Sequence, residues 1–282
     1  MKNHPALAAW LPTARVIELC ELLTIAQPDG SIWRFATNHD VFDGGNTWSA
    51  LALLWERSQL TSVPGIEISS CTVTMYPRSS DRLYSLPVAA AVRAGIWDTA
   101  KFTLSRAYFD NVGSLRGILP KFVGGLGAVT LRDGTIKLEL RASGETLNRA
   151  VPPVYQASCL NTLFDTGCGL NRAAWQVAGA VAGASTTRTV ITGRGEAAGW
   201  FTAGTLLFTG GALQGLRRTM RQHLAGGAVT LFDPLPSAPA PGTPFILTPG
   251  CDRSLGAGGC AKFGNRVMFR GTPFIPQPET AI

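Results

Sequence analysis

Four of the six cysteines form two matched pairs whose spacing could hold a single metal centre. Cys159 and Cys168 lie in CLNTLFDTGC, and Cys251 and Cys260 lie in CDRSLGAGGC, so each pair reads C-x8-C. The Gly, Asp and Asn residues within both stretches predict turns, from which thiolates can point at one centre. Thiolates favour zinc, Cu(I) and iron-sulfur clusters, and four cysteines are the usual ligand set of such a cluster.

Three other interpretations of the cysteines are open at this point. Disulfides are possible because six is an even number, although disulfide frameworks are typical of short secreted domains. A chain of 282 residues with 45% hydrophobic content can bury a core without them. Structural zinc usually takes ligand pairs about two to four residues apart, which neither pair shows. The last possibility is that the paired cysteines are unrelated free thiols. The other two cysteines, Cys20 and Cys71, lie in strand-like runs whose alternation predicts core positions.

The composition predicts a β-rich protein. The 32 glycines and 18 prolines indicate frequent turns and few long helices. The net charge of +7 permits contact with nucleic acid, but the charges are scattered. The densest cluster, Arg217, Arg218, Arg221 and His223, is short and lacks interleaved aromatics, so a solvated strand face is the better interpretation.

No segment predicts targeting or membrane insertion. The apolar run at residues 6–11 ends at Pro12 with no cleavage pattern after it, and the longest apolar stretch, residues 173–184, is too short to span a bilayer. We therefore expect a soluble protein, made in a reducing cytoplasm, without a membrane span. That compartment suits a cluster and disfavours disulfides.

The first half of the chain predicts hairpins. VIELCELLTI and SIWRFAT are joined by a turn at residues 27–30, and Asp133-Gly134 joins the strands of VTLRDGTIKLELR. One helix is expected near residues 87–93, with a helical turn at residues 145–149. Pro152-Pro153 then predicts a boundary between an N-terminal β-rich region, residues 1–153, and a cysteine-bearing region, residues 154–282.

Between the cysteine pairs, 82 residues (169–250) predict a small inserted β-domain at about residues 171–248. Its strand-like segments are QVAGAVAG, TRTVITG, GWFTAGTLLFT, LRRTMRQHL and AVTLFDPLP, divided by the glycine pairs Gly210-Gly211 and Gly226-Gly227. A metal centre on the four cysteines would tie the ends of this insertion together. Closing a long loop is where such a link stabilises most.

Catalytic patterns are weak. Cys20 and His39 could form a nucleophilic pair, but no third group orients them. The acidic turn containing Asp40 and Asp43 fits a polar hairpin loop better than a cation site. GRGEAAG, residues 193–199, is followed by aromatic residues rather than a helix, so it lacks the context of a dinucleotide site. No catalytic residue is assigned, and a non-enzymatic protein is expected.

The order of several longer blocks resembles a known family. PDGSIWRFATNHDVFDGGNTW, RAGIWDTAKFTLSR, GGLGAVTLRDGTIKLELRASGETLNRAVPPVYQASC, DTGCGLN and GCDRSLGAGGCAKFGNRVMFRGTPFIP together resemble phage tail-tip or baseplate hub proteins. This family includes the hub of gene transfer agents and the tail-tip assembly protein of lambda-like phages. The resemblance covers nearly the whole chain, with ordinary variation at residues 268–271.

The resemblance implies a fold, a cofactor and an assembly. The fold is mainly β, with an N-terminal hub-type β-barrel or sandwich region and a C-terminal cysteine-held region carrying the inserted β-domain. Cys159, Cys168, Cys251 and Cys260 would hold a [4Fe-4S] cluster, with zinc as the alternative metal. The protein would form a homotrimer in the tail tip of a virion assembled in the bacterial cytoplasm.

The same resemblance implies the partners. They are a distal tail protein on one side of the trimeric ring and a central tip or receptor-binding protein on the other. Two similar β-domains per subunit would let three copies match a six-fold ring, and DNA passing through the tail lumen is a further expected contact. Two rival functions are a tail-associated enzyme, either redox or wall-degrading, and a zinc-stabilised binding module outside any tail.

Overall fold

The protein is mainly β, as the sequence predicts, and forms two compact units. The computed structural model describes residues 4–28, 30–60, 70–111, 113–142 and 155–274. The first unit comprises Met1–Leu83 and Pro87–Ala150, and the second comprises Tyr84–Leu86 and Val151–Ile282. Within the second unit, the Ser85 hydroxyl donates to the carbonyl oxygen of Gly211 at 3.0 Å. The predicted helical turn at residues 145–149 and the boundary prolines lie outside the described residues.

The described elements are mostly short. The helices are α1 (Pro5–Trp10) and α2 (Val88–Arg93), and no described helix is long and apolar enough to cross a membrane. The strands up to residue 142 are β1 (Glu18–Ala26), β2 (Ile32–Ala36), β3 (Val41–Asp43), β4 (Asn46–Trp48), β5 (Leu54–Arg57), β6 (Ser70–Tyr76), β7 (Arg82–Leu83), β8 (Leu86–Pro87), β9 (Lys101–Phe109), β10 (Leu115–Arg132) and β11 (Thr135–Ala142). Those after residue 155 are β12 (Val177–Ala180), β13 (Thr189–Ile191), β14 (Thr205–Phe208), β15 (Arg217–His223), β16 (Ala228–Leu231) and β17 (Pro244–Thr248).

The first unit is built on a curled, seven-stranded antiparallel sheet. Its strand order is β2-β1-β9-β10-β11-β6-β5. Although β1 and β5 are far apart in this order, Arg57 of β5 donates to the Glu21 carboxylate of β1 at 2.8 Å. The sheet therefore curls until its far strand comes back near β1, which agrees with the barrel or sandwich region that the family resemblance implies.

The interior of this sheet follows the predicted alternation of apolar residues. Asp133 and Gly134 both have positive φ, 50° and 76°, as the tight turn between β10 and β11 requires. Beyond the turn, the alternate apolar residues of β11 lie beside those of β6. The pairs are Ile136 with Met75, Leu138 with Val73, and Leu140 with Cys71. All six are at most 2% exposed, so Cys71 is a core residue, as predicted.

Cys20 is likewise a core residue. It is fully buried in a cluster that includes Trp48 and Phe109. Its Sγ lies 3.8 Å from the carbonyl oxygen of His39, while the His39 ring packs edge-on against Phe109 at 4.8 Å between centroids. The Cys20 thiol thus contacts the His39 backbone.

The sequence predicts one helix, near residues 87–93, but the structure also contains α1, which was not predicted. α2 confirms the predicted helix. α1 has six residues, too few for an amphipathic period to show in the sequence. It is specified instead by its start: Pro5 occupies the first turn, and the His4 ring accepts a hydrogen bond from the Leu7 amide at 3.2 Å.

The second unit contains a six-stranded antiparallel sheet in the order β12-β17-β14-β15-β16-β13. Each predicted strand segment contains a strand, but β12, β13 and β16 are shorter than their segments, and the first part of GWFTAGTLLFT is not strand. Residues 199–204 turn instead, with Gly199 and Ala203 at φ of 84° and 59°, and only Thr205–Phe208 is strand. β17 was not predicted, because it directly follows a proline-rich stretch, yet it lies between β12 and β14.

The basic cluster on β15 is only partly a solvated face. Arg221 is exposed, but His223 is 1% exposed and its ring lies edge-on to Phe201 at 5.1 Å. The register of β15 against β16 shifts between Met220 and Gln222. Such a bulge inserts one residue into the alternation, so Met220 and His223 both face the core. The prediction that His223 belongs to the solvated face is therefore wrong.

Candidate cofactor site

The first cysteine loop, residues 159–168, is closed by an aspartate within it. The Asp165 carboxylate accepts hydrogen bonds from the amides of Thr162 and Cys168 at 2.7 and 2.6 Å. The hydrogen bond from the Cys168 amide, followed by that from Thr162, lowers the pKa of Asp165. A side chain that bonds nearby backbone amides in this way fixes a turn without helix or sheet. The aspartate therefore positions Cys168 relative to Cys159.

The second cysteine loop, residues 251–260, uses the same device and depends on a glycine. Asp252 accepts a hydrogen bond from the Ser254 amide at 2.8 Å, and the Cys260 amide donates to the Ser254 carbonyl oxygen at 2.9 Å. A Cβ at Gly259 would lie 1.9 Å from that same oxygen. Only glycine allows the chain to pass this close, so the turn that brings Cys260 back to Cys251 requires it.

The two loops meet although 82 residues separate them in sequence. The Cys159 amide donates to the Arg253 carbonyl oxygen at 2.8 Å. Asn265 contacts a cysteine of each pair. Its side-chain Nδ2 donates to the Cys168 carbonyl oxygen at 2.7 Å, and its backbone N–H donates to the Cys260 carbonyl oxygen at 2.9 Å. The predicted site residues therefore lie in one neighbourhood of the second unit.

Three of the four sulfurs accept hydrogen bonds from N–H groups. The Arg253 amide donates to Cys251 Sγ at 3.3 Å, and the Arg270 amide donates to Cys159 Sγ at 3.3 Å. Asn265 Nδ2 lies 3.6 Å from Cys168 Sγ. Hydrogen bonds to a sulfur stabilise its thiolate, which is the form that binds metals.

The four thiols also interact electrostatically. Burial raises the pKa of Cys251, the hydrogen bond from the Arg253 amide lowers it in part, and Asp252, Cys168 and Cys159 raise it further. Burial also raises the pKa of Cys260, and the other three cysteines add to the effect. In the absence of a cation Cys251 and Cys260 therefore resist ionisation. A bound cation reverses this preference, because a coordinated thiol is deprotonated.

All six cysteines are free thiols, so no disulfide links the two pairs. Cys159 and Cys260 are buried, whereas Cys168 and Cys251 are half-buried. Within the described ranges, no group of three or more His, Cys, Asp or Glu side chains has the geometry to hold a metal ion. The described thiols are thus neighbours that are not gathered around a single-ion position.

Sequence reasoning missed a lysine and several aromatic residues beside the cysteines. Lys262 donates through Nζ to the carbonyl oxygen of Gly250 at 2.8 Å and to that of Trp200. Its Nζ lies 5.1 Å from the Trp200 ring and 5.3 Å from the Phe263 ring. Trp175 packs edge-on against Phe263 at 4.9 Å. The clue in the sequence is that Trp175 and Phe263 come soon after Cys168 and Cys260, whereas nothing in the sequence marks Trp200.

An apolar cavity adjoins the first loop. It has a volume of about 330 Å³ and is lined by Tyr155, Gln156, Leu160 and residues 269–272.

The other weak motifs have ordinary structural roles. Asp40 accepts a hydrogen bond from the Ala50 amide at 2.8 Å, and Arg194 of GRGEAAG pairs with Glu196. The acidic turn is therefore a polar loop, as expected.

Residues 4–171 match the family described as the baseplate hub protein, N-terminal attachment domain. The chain belongs to this baseplate hub family. Membership confirms the predicted tail-tip or baseplate hub and places the hub protein in a virion tail. The matched segment includes the first cysteine pair, Cys159 and Cys168.

Two further comparisons cover the rest of the hub protein. Residues 199–279, which include Cys251 and Cys260, match the family described as phage conserved hypothetical protein BR0599. A chain from a structure titled as the virion of a native gene transfer agent particle is similar over 98% of this chain and 94% of that one. It is 22% identical with a TM-score of 0.74, which shows a shared fold. No curated protein matches.

Proposed function

We propose that this baseplate hub protein is a structural ring component of the tail tip, and that its four paired cysteines hold a [4Fe-4S] cluster. In this proposal three copies form a ring between the distal tail protein and the central tip protein. Family membership and the fold shared with a chain of a gene transfer agent virion support the structural role. The meeting of the two C-x8-C loops supports the cluster.

The donor set fits a cluster. Cys159, Cys168, Cys251 and Cys260 are four thiols in one neighbourhood, and N–H donors to three of the sulfurs favour thiolates. Four cysteine thiolates are the common ligand set of a [4Fe-4S] cluster, and hydrogen bonds to sulfur are part of such sites. When bound, the cluster would supply iron-thiolate bonds that join the two loops.

The arrangement favours a cluster over zinc. A zinc ion needs four sulfurs at about 2.3 Å from one point, and its ligand pairs are usually closely spaced in sequence. Each pair here has eight residues between its cysteines, which is wider than the usual zinc spacing. In a cluster each thiolate binds a different iron, so the sulfurs stand further apart.

The proposed role of the cluster is to fasten the base of the inserted β-domain. β12 to β17 all lie between Cys168 and Cys251, so a link between the pairs closes this long segment. Cross-linking the ends of a long segment restricts the unfolded chain more than closing a short one. Metal binding to a site absent from the unfolded chain contributes directly to folding. We infer a structural rather than a catalytic protein on the same grounds.

Iron and acid-labile sulfide assays on protein purified without oxygen test the cofactor. About four of each per chain, with a brown colour, is the result expected for this cluster type. A colourless protein with stoichiometric zinc would contradict the cluster and support the zinc-stabilised module.

Light scattering tests the ring separately, alone and with the distal tail protein. A trimer, or a complex containing three copies, is expected. A monomer that does not bind the distal tail protein would contradict the ring, whatever metal is bound. Contact with DNA in the tail lumen stays a prediction, tested by crosslinking in assembled tails.

A further inference from the structure

Lys262 lies in an unusual setting beside the second cysteine loop. It belongs to the 3₁₀ turn Cys260–Phe263, and its side chain reaches back to the residue before Cys251. There its Nζ donates to the Gly250 carbonyl oxygen at 2.8 Å and to the Trp200 carbonyl oxygen. One ammonium group thus joins both ends of the second loop to the turn that precedes β14.

Aromatic rings enclose the same ammonium group. The Nζ lies 5.1 Å from the Trp200 ring and 5.3 Å from the Phe263 ring, both within the range of a cation–π contact. Trp175 contacts both rings, with centroids at 6.4 Å from Trp200 and 4.9 Å from Phe263. Phe164 of the first cysteine loop adds an edge contact to Phe263 at 6.2 Å. The rings therefore restrict where the lysine can go.

The positive charge of Lys262 is surrounded by carbonyl oxygens and aromatic rings. Among the described residues, Lys262 forms no ion pair with an acidic side chain. Burial lowers the pKa of Lys262, while the ionisable groups that raise it are Asp252 and the Cys251 thiol when ionised. A charge removed from water is costly unless an opposite charge or several hydrogen bonds compensate it. A nearby anionic group would supply the missing compensation.

We propose that Lys262 is the counter-charge of the thiolate centre and positions the second cysteine loop for it. This inference rests on the proposed cluster. Four thiolates carry more negative charge than the iron-sulfur core neutralises, so the loaded centre is an anion, and the net charge around a cluster helps set its reduction potential. The rings and the two carbonyl oxygens hold the lysine close to this anion, where its charge favours binding and retention of the cluster.

The test compares wild type with three variants purified without oxygen. Lys262→Met keeps the length of the side chain and its contacts with the rings but removes the charge. Lys262→Arg keeps the charge. Arg221→Met removes an exposed charge from β15 of the same unit and serves as the matched control. The readouts are iron and sulfide per chain, the half-time of iron release to a chelator, and the reduction potential of the cluster.

We expect Lys262→Met to release iron about tenfold faster, because one nearby positive charge has been lost. Its reduction potential should be lower than that of wild type, since a positive charge favours the more negative, reduced state. Lys262→Arg and Arg221→Met should stay close to wild type in both. The potential separates a charge effect from loosened packing, which would speed release without a consistent downward shift.

Equal iron retention and potential in wild type and Lys262→Met would overturn the counter-charge while leaving the cluster in place. An equal loss of iron in Lys262→Met and Lys262→Arg would also overturn it. A wild-type protein without iron would overturn the cluster itself, and this inference with it.

Discussion

Asn265 donates its Nδ2 hydrogen to the carbonyl oxygen of Cys168 at 2.7 Å, and the same nitrogen lies 3.6 Å from the Cys168 sulfur. The backbone N–H of Asn265 donates to the carbonyl oxygen of Cys260 at 2.9 Å. One residue therefore contacts a cysteine of each pair: the Asn265 side chain bonds Cys168, 97 positions away in sequence, and its backbone bonds Cys260. Both cysteine loops depend on this residue for their mutual placement.

Replacing Asn265 by Ala should loosen the two loops. We expect a loss of about 1–3 kcal/mol in the free energy of unfolding, because a half-buried carbonyl acceptor loses its donor. Iron retention should fall in parallel. Chemical denaturation and iron analysis measure the two effects, with Asn38→Ala as a control at an exposed site in the first unit. Unchanged stability and iron content would show that the hydrogen bonds of Cys159 with the Arg253 carbonyl oxygen and the Arg270 amide are enough to hold the two loops together.

Replacing Cys168 by Ser should remove the proposed cluster. A hydroxyl is a much poorer iron ligand than a thiolate, and the other three thiols would be left prone to oxidation. Iron per chain should fall to near zero, with lower solubility and impaired tail assembly. Cys71→Ala is the matched control, because Cys71 lies in the core of the first unit and should keep wild-type iron. Wild-type iron in Cys168→Ser would remove this cysteine from the ligand set.

Glu21 should make the stability of the protein depend on acid pH. Burial alone would raise the pKa of Glu21, but hydrogen bonds from Arg57 and Arg106, with their charges, outweigh burial and lower it. A carboxyl whose pKa is lower in the folded state stabilises the fold above its unfolded pKa of about 4.3. That contribution is lost as the pH falls through the folded value.

Glu21→Gln should therefore cost about 1–3 kcal/mol near neutral pH and progressively less below about pH 4. Urea unfolding at several pH values measures this. Glu18→Gln changes an exposed glutamate of the same strand and should leave the profile close to wild type. A Glu21→Gln deficit that is constant with pH would show that packing, not charge, accounts for it.

His223 should make the stability of the second unit fall below neutral pH. Burial lowers the pKa of His223, and Ala197 and Glu196 only partly oppose it. Protonation therefore favours the unfolded chain, so this stability is present above an unfolded pKa of about 6.5 and declines as the pH falls. His223→Leu should remove much of the decline in thermal midpoint between pH 7.5 and pH 5.5. His39→Gln changes a histidine of the first unit and should show the same decline in thermal midpoint as wild type. An equal decline in wild type, His223→Leu and His39→Gln would refute the role of His223.

Much of the local structure was predictable from residue patterns. The Asp133-Gly134 hairpin and the apolar alternation of β6 and β11 are confirmed because both depend on neighbours within a few residues. The helix α1 and the strand β17 were missed because α1 is too short to show a period and β17 follows a proline-rich stretch. His223 was misplaced because a bulge shifted the alternation of β15, and nothing in the residue types marks that shift.

For the candidate site, the sequence by itself determined the donors: four thiols in two matched loops whose aspartates and glycines specify tight turns. Only the tertiary structure decided that the loops meet, that Asn265 joins them, and that Lys262 is enclosed by Trp200 and Phe263 beside them. The physical reason is distance along the chain. Turn chemistry acts within a few residues, whereas contacts across a six-stranded insertion depend on how the whole sheet folds.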